Sequence, residues 1–182
     1  MALTYSPDPD LGRPCPDFAL PGTDGRVYSK IDFQSDHSLL VMFICNHCPY
    51  VIAIEDRLVQ LAVDLKKIGV SVVAISSNDV KNYPQDSFDN MKSKAIDKKY
   101  PFVYLYDETQ DVARRFGAVC TPDFFVYDRN DKLAYRGRLD DSWKDPTQVK
   151  IRELYQAVLN IEANQPIQIP QTPTMGCNIK WK

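Results

Sequence analysis

Histidine is scarce in this chain of 182 residues, which carries only His37 and His47. A closed zinc site usually takes four Cys or His ligands at characteristic spacing, and so few histidines argue against one. Cysteine is sparse and odd in number, at Cys15, Cys45, Cys48, Cys120 and Cys177. That excludes a small secreted scaffold stapled by disulfides. An excess of either charge is also missing: 22 basic residues face 24 acidic ones, for a formal net charge of −2. Nucleic acid and anionic membranes are therefore not expected partners. No apolar run has the length to span a bilayer. The opening segment, Met1 to Asp10, is acidic and broken by prolines rather than basic and then apolar. It does not read as a targeting signal, so the cytoplasm is the expected compartment.

What remains is an ordinary globular composition, 44% hydrophobic and 25% charged, in a length that suits one domain with a sizeable core. No repeat or linker divides residues 1–182. Pro14 to Gly25 reads as an extended piece ending in an Asp-Gly turn, with Arg26-Val-Tyr28 returning as a hairpin partner. Leu39 to Ile44 is a continuous apolar run, as expected of a central strand. Val51, Ile54, Leu58, Leu61, Leu65 and Ile68 then recur at helical steps, and Gly69 ends that helix. Val70 to Ile75 is the next strand, so the unit reads as a parallel crossover. Asp86 to Lys92 predicts a helix and Phe102 to Tyr106 a strand. Thr109 to Phe116 predicts a helix capped by Thr109 and stopped at Gly117. Phe124 to Tyr127 and Leu133 to Tyr135 predict a hairpin, and Thr147 to Ile161 a last helix. Gln165 to Lys182 reads as an extended tail rich in proline.

The chemistry lies where the first central strand meets its helix. Cys45-Asn46-His47-Cys48-Pro49 places two cysteines three residues apart, close enough to bridge across one turn. In a reducing compartment that spacing points to redox catalysis. Proline is favoured at the first helical position, which makes Cys48 the N-cap, near unpaired N–H groups that stabilise a thiolate. His47 is a candidate for tuning the neighbouring thiolate; a solvent-exposed turn residue is the alternative reading. Cys120 and Cys15 read as packing, with Cys120 a further candidate redox thiol. The carboxylate pairs Asp107-Glu108 and Asp140-Asp141 read as loop and cap charges.

With Cys45-Asn-His-Cys48, Thr121-Pro122 and this strand order, the chain resembles the thioredoxin superfamily. Within it, the chain is similar to the peroxiredoxin-like branch (alkyl hydroperoxide reductase/thiol-specific antioxidant, or redoxin). Phe43 to Val51, Cys120 to Phe125 and the closing Gly176-Cys-Asn-Ile-Lys-Trp-Lys182 look like one bacterial subgroup of that branch. The resemblance implies an α/β thioredoxin-like fold, with a central mixed sheet flanked by helices and an N-terminal hairpin extension. It implies a cis bond before Pro122, with Thr121 and Pro122 forming the edge where an extended substrate pairs. In the thioredoxin register Cys45 attacks and Cys48 resolves; in the peroxiredoxin register Cys48 attacks. Peroxiredoxins also use a Thr and an Arg, which fall at Cys45 and Pro122 here. Both donors to a bound peroxide are therefore replaced, which favours disulfide exchange over peroxide reduction. Cys177 resembles the C-terminal resolving cysteine of typical two-cysteine peroxiredoxins.

The expected function is thiol–disulfide exchange on protein or small-molecule disulfides, with an external thiol reductant and no metal or organic cofactor, in a monomer or homodimer. The alternatives are a thiol peroxidase using Cys48 with Cys45 or Cys177 on hydroperoxides, and a non-catalytic binding module whose cysteines are vestigial or hold a metal.

Overall fold

The computed structural model describes residues 3–182. Its strands are β1 (Leu3–Tyr5), β2 (Ala19–Pro21), β3 (Val27–Ser29), β4 (Leu39–Phe43), β5 (Ser71–Ser76), β6 (Val103–Tyr106), β7 (Cys120–Thr121), β8 (Asp123–Tyr127), β9 (Leu133–Arg136) and β10 (Met175–Asn178). The helices are α1 (Pro49–Ile52), α2 (Glu55–Lys67), α3 (Phe88–Asp97), α4 (Asp111–Phe116) and α5 (Glu153–Glu162).

β4 is central because every residue in it is apolar and buried. It pairs parallel with β5 and antiparallel with β8 in a five-stranded sheet ordered β6-β5-β4-β8-β9. Strand alternation splits its side chains between two cores. Leu40 and Met42 pack among α2 and α5 residues such as Leu58, Leu65 and Leu154. Leu39, Val41 and Phe43 pack with Phe18, Leu20 and the α4 residues Val112 and Phe116. Each such side chain contributes roughly 1.5–3 kcal/mol on burial. The expected N-terminal hairpin is β2 against β3.

Three local expectations are corrected. The helix after Pro49 is two helices, because Ile54 leaves helical geometry (φ −111, ψ 0) between α1 and α2. Thr109 is not the N-cap of α4: Gln110 takes that position in a left-handed conformation (φ 68), and the Asp107 carboxylate accepts from Val112 N and Ala113 N. The last helix begins at Glu153 rather than Thr147. Residues 146–148 form a single 3-10 turn, and the N–H groups of Lys150 and Ile151 donate to Asp141 instead.

The tail is the largest departure. It contains β10, which lies between β1 and β7 in a second, antiparallel sheet. Beyond β10, Lys180 N donates to Asn78 Oδ1, Gln110 Nε2 donates to Lys180 O, and the Arg114 guanidinium lies over Trp181. These contacts account for much of the closing motif.

Candidate active site

β4 delivers its chain to the Cys-x-x-Cys turn, and β8 delivers the other wall. The antiparallel register sets Phe43 opposite Asp123, so Thr121 and Pro122 arrive beside Cys45. The Thr121–Pro122 bond is cis. Cys48 is the N-cap of α1 with Pro49 following, and its carbonyl accepts from Val51 N and Ile52 N.

Both sulfurs are enclosed, Cys45 at 2% exposure and Cys48 at 0%. The two thiols are hydrogen-bonded to each other and titrate as a pair. Cys48 is the acidic member, lowered from 9.0 to about 5, first by the Cys45 S–H. Thr121, Cys177 and the Val51 N–H add to the effect, while burial opposes it. Cys45 is pushed up because it holds the shared proton and is buried. In the thiol form Cys48 Sγ sits 3.1 Å from Thr121 O, an acceptor it gives up on ionising. Thr121 Oγ1 lies 3.5 Å from Cys45 Sγ.

His47 is neither bare nor among the main groups that acidify Cys48. Its Nδ1 lies 2.6 Å from Asp86 Oδ2, and its ring stacks on Tyr83. Asp86 is completely buried. Its Oδ1 accepts from Asn46 N at 2.8 Å and His47 N at 3.3 Å, and its Oδ2 also accepts from Asn78 Nδ2. One carboxylate thus fixes the backbone of the turn between the cysteines. Asp86 is the site residue that the sequence reading passed over. Its only signal there was an acidic residue in a polar stretch.

Cys45, His47 and Asp86 offer ligand atoms within 4.8 Å of one another. Asp86 already spends both oxygens on four donors, and three such groups do not close a tetrahedral structural site. Within the cluster, His47 and Asp86 are joined by hydrogen bonds, while Cys45 faces Thr121.

Cys177 joins the site, with its thiol hydrogen-bonded to Cys48. Burial and the neighbouring Cys48 raise it to about 12. Cys120 is fully buried and strongly raised by burial and Asp123, which agrees with packing. Cys15, raised to about 12 by burial, belongs to the opposite core. Three arginines pair with carboxylates, Arg136 with Asp123, Arg57 with Asp140, and Arg138 with Glu153. A cavity of about 250 Å³ flanks the turn, lined by Tyr5, Tyr50, Pro122, Trp143 and Met175 among others.

Two solved structures align over nearly the whole chain. An uncharacterised conserved protein from Geobacillus kaustophilus is 45% identical, with TM-score 0.95, over 100% of this chain and 97% of that one. A hypothetical protein from Sinorhizobium meliloti is 38% identical, with TM-score 0.92, over 98% of each. A thiol:disulfide interchange protein of the thioredoxin family from Chlorobium tepidum shares the fold at 18% identity, with TM-score 0.65, over 83% of this chain and 97% of that one. No curated protein matches significantly. Residues 11–136 match the model of the AhpC/TSA family, and the chain, with its thioredoxin fold, belongs to that family of thiol redox enzymes.

Proposed function

We propose that the protein is a thiol–disulfide oxidoreductase in which Cys48 attacks and Cys45 resolves. The observation that carries this is the placement of Cys48 as the N-cap of α1, beside the helix's first N–H groups, with Cys45 three residues away on the same turn; in keeping with it, the Cys48 thiol is lowered and that of Cys45 raised. The thiolate is the nucleophile. In the proposed cycle Cys48 attacks one sulfur of a substrate disulfide and expels the other as a thiolate. Cys45 then attacks Cys48, its proton passing to the departing substrate thiolate. The substrate is reduced, and the Cys45–Cys48 pair is oxidised by the same two electrons. An external thiol reductant restores the dithiol, as in a reducing compartment such as the cytoplasm. No metal or organic cofactor enters the cycle. The replacement of the peroxide-binding Thr and Arg of peroxiredoxins by Cys45 and Pro122 supports exchange over peroxide reduction.

A thiol peroxidase is the second reading, favoured by the enclosure of Cys48, which suits a small oxidant. One experiment separates the two. The reduced protein is mixed with hydrogen peroxide or with a peptide disulfide, quenched by alkylation, and mapped by mass. Fast oxidation by the peptide and slow oxidation by peroxide is the expected result. A fast sulfenic acid on Cys48 with peroxide would replace the first reading with the second.

A further inference from the structure

The first step of the proposed cycle strands a proton. In the reduced pair Cys45 holds the proton that it shares with the Cys48 thiolate. Once Cys48 is bonded to a substrate sulfur that acceptor is gone, and Cys45 must still lose its proton before it can attack. β4, apolar throughout, puts no carboxylate behind the turn. The carboxylate that stands there, Asp86, comes instead from the segment between β5 and α3. Cys45 Sγ, a ring nitrogen of His47 and a carboxylate oxygen of Asp86 all lie within 4.8 Å of one another, a span that one water bridges.

His47 and Asp86 form a couple. His47 Nδ1 lies 2.6 Å from Asp86 Oδ2, so the carboxylate accepts the Nδ1 proton and leaves Nε2 as the basic nitrogen. Among the described residues no hydrogen bond occupies Nε2. The Asp86 side chain is wholly buried, whereas that of His47 keeps 16% exposure. The ring thus reaches from the enclosed Cys45 thiol toward solvent. The titratable and charged groups around it are Cys45 on its own turn, Asp86, and Tyr83, which stacks on it at 5.4 Å and has Lys180 Nζ 5.6 Å from its ring.

We infer that the His47–Asp86 couple is the base of the resolving step, with His47 taking the Cys45 proton and returning it to the departing substrate. The inference rests on Cys48 as the attacking thiolate and Cys45 as the resolving thiol. The Cys45 proton passes to His47 Nε2, and Asp86 holds the resulting imidazolium. Cys45 Sγ attacks Cys48 Sγ, the Cys45–Cys48 bond forms, and the Cys48–substrate bond breaks. The substrate leaves as a thiolate, which takes the proton from His47. The two cysteines are oxidised by two electrons, the substrate disulfide is fully reduced, and His47 ends neutral. Asp86 is a positioning residue, acting through the imidazole.

The test mixes the reduced full-length protein with glutathione disulfide, quenches in acid, and follows intact mass with peptide mapping. A glutathionyl adduct on Cys48 reports the first step, and its decay to the Cys45–Cys48 disulfide reports the second. His47→Asn keeps a donor for Asp86 and removes the titrating nitrogen. Its adduct should decay about a hundredfold more slowly at neutral pH, the low end of what a positioned base contributes, and added imidazole should restore part of the rate. The wild-type decay rate should rise with pH and level off once the imidazole is neutral. That of His47→Asn should keep climbing as the Cys45 thiol itself ionises. A slower variant that keeps the wild-type pH profile and gains nothing from imidazole has lost only structure, which overturns the inference. A variant as fast as the wild type overturns it too, as does a wild-type rate that climbs without levelling. Each of these leaves the attack by Cys48 intact. An adduct on Cys45 instead, or none at all, ends the proposed order of attack and this inference with it.

Discussion

At the scale of single residues, the site depends on how the proton shared by Cys45 and Cys48 is placed. Cys48 is lowered to about 5, so alkylation of the reduced protein should rise through about that pH and level off by neutrality. A midpoint near the ordinary thiol value of roughly 8.5 would contradict this. Cys45→Ala removes the main donor and should move the midpoint upward. The sign for stability follows from the depressed folded value. The reduced protein gains stability as pH rises from about 5 toward the unfolded thiol value and loses that contribution as pH falls through about 5. Asp86 carries a different load. It is fully buried and holds four donors, so Asp86→Ala strands Asn46 and His47 N–H groups inside the protein. The expected loss is about 1–3 kcal/mol for each group left unsatisfied, read by urea denaturation, together with slower disulfide exchange. Unchanged stability would remove Asp86 from its role in fixing the turn. Cys45, His47 and Cys48 are candidates in the sequence by type and spacing, and Thr121 and Pro122 by the family resemblance. Asp86 is not, since it lies 40 residues from Asn46 and meets it only through the fold.

At the scale of elements, the central strands and the hairpins were readable from apolar runs and turn residues. Periodicity alone joined α1 to α2, because Ile54 keeps the apolar phase while its backbone departs from helix. Side-chain competition for backbone groups moved the starts of α4 and α5, through Asp107 and Asp141. The tail was opaque for a related reason. Met175-Gly-Cys-Asn178 has no period-two pattern or β-branched residue, and becomes a strand only because β1 and β7 leave a slot between them. Gly176 makes that slot usable, since its missing Cβ allows the close pass over the Thr121 carbonyl. Gly176→Ala should therefore push β10 off the edge. The expected outcome is faster alkylation of Cys48 and a stability loss of about 1–3 kcal/mol, the usual cost of overpacking. If Cys48 alkylates no faster in a variant that remains folded, β10 is not what encloses it.

At the scale of the whole molecule, two sheets and the C-terminal tail converge on one sulfur. β4 and β8 bring the turn and Thr121 together, while β10 adds Cys177. Most of these groups lower the energy of the Cys48 thiolate, so the fold favours the reduced state and makes its disulfide the stronger oxidant. The potential should lie above the roughly −270 mV of thioredoxin, measured by equilibration with a glutathione buffer and alkylation. Its pH dependence is the sharper test. Below about 5, reduction takes up two protons with two electrons, and the potential should change by about 59 mV per pH unit. Above that value Cys48 stays ionised and only Cys45, whose thiol is raised, takes a proton. The slope should then halve to about 30 mV per pH unit across neutrality. A potential at or below that of thioredoxin, or a slope that does not break near Cys48's titration, would mean that the thiolate is not held by the fold. The asymmetry on which the proposed order of attack depends would then be lost.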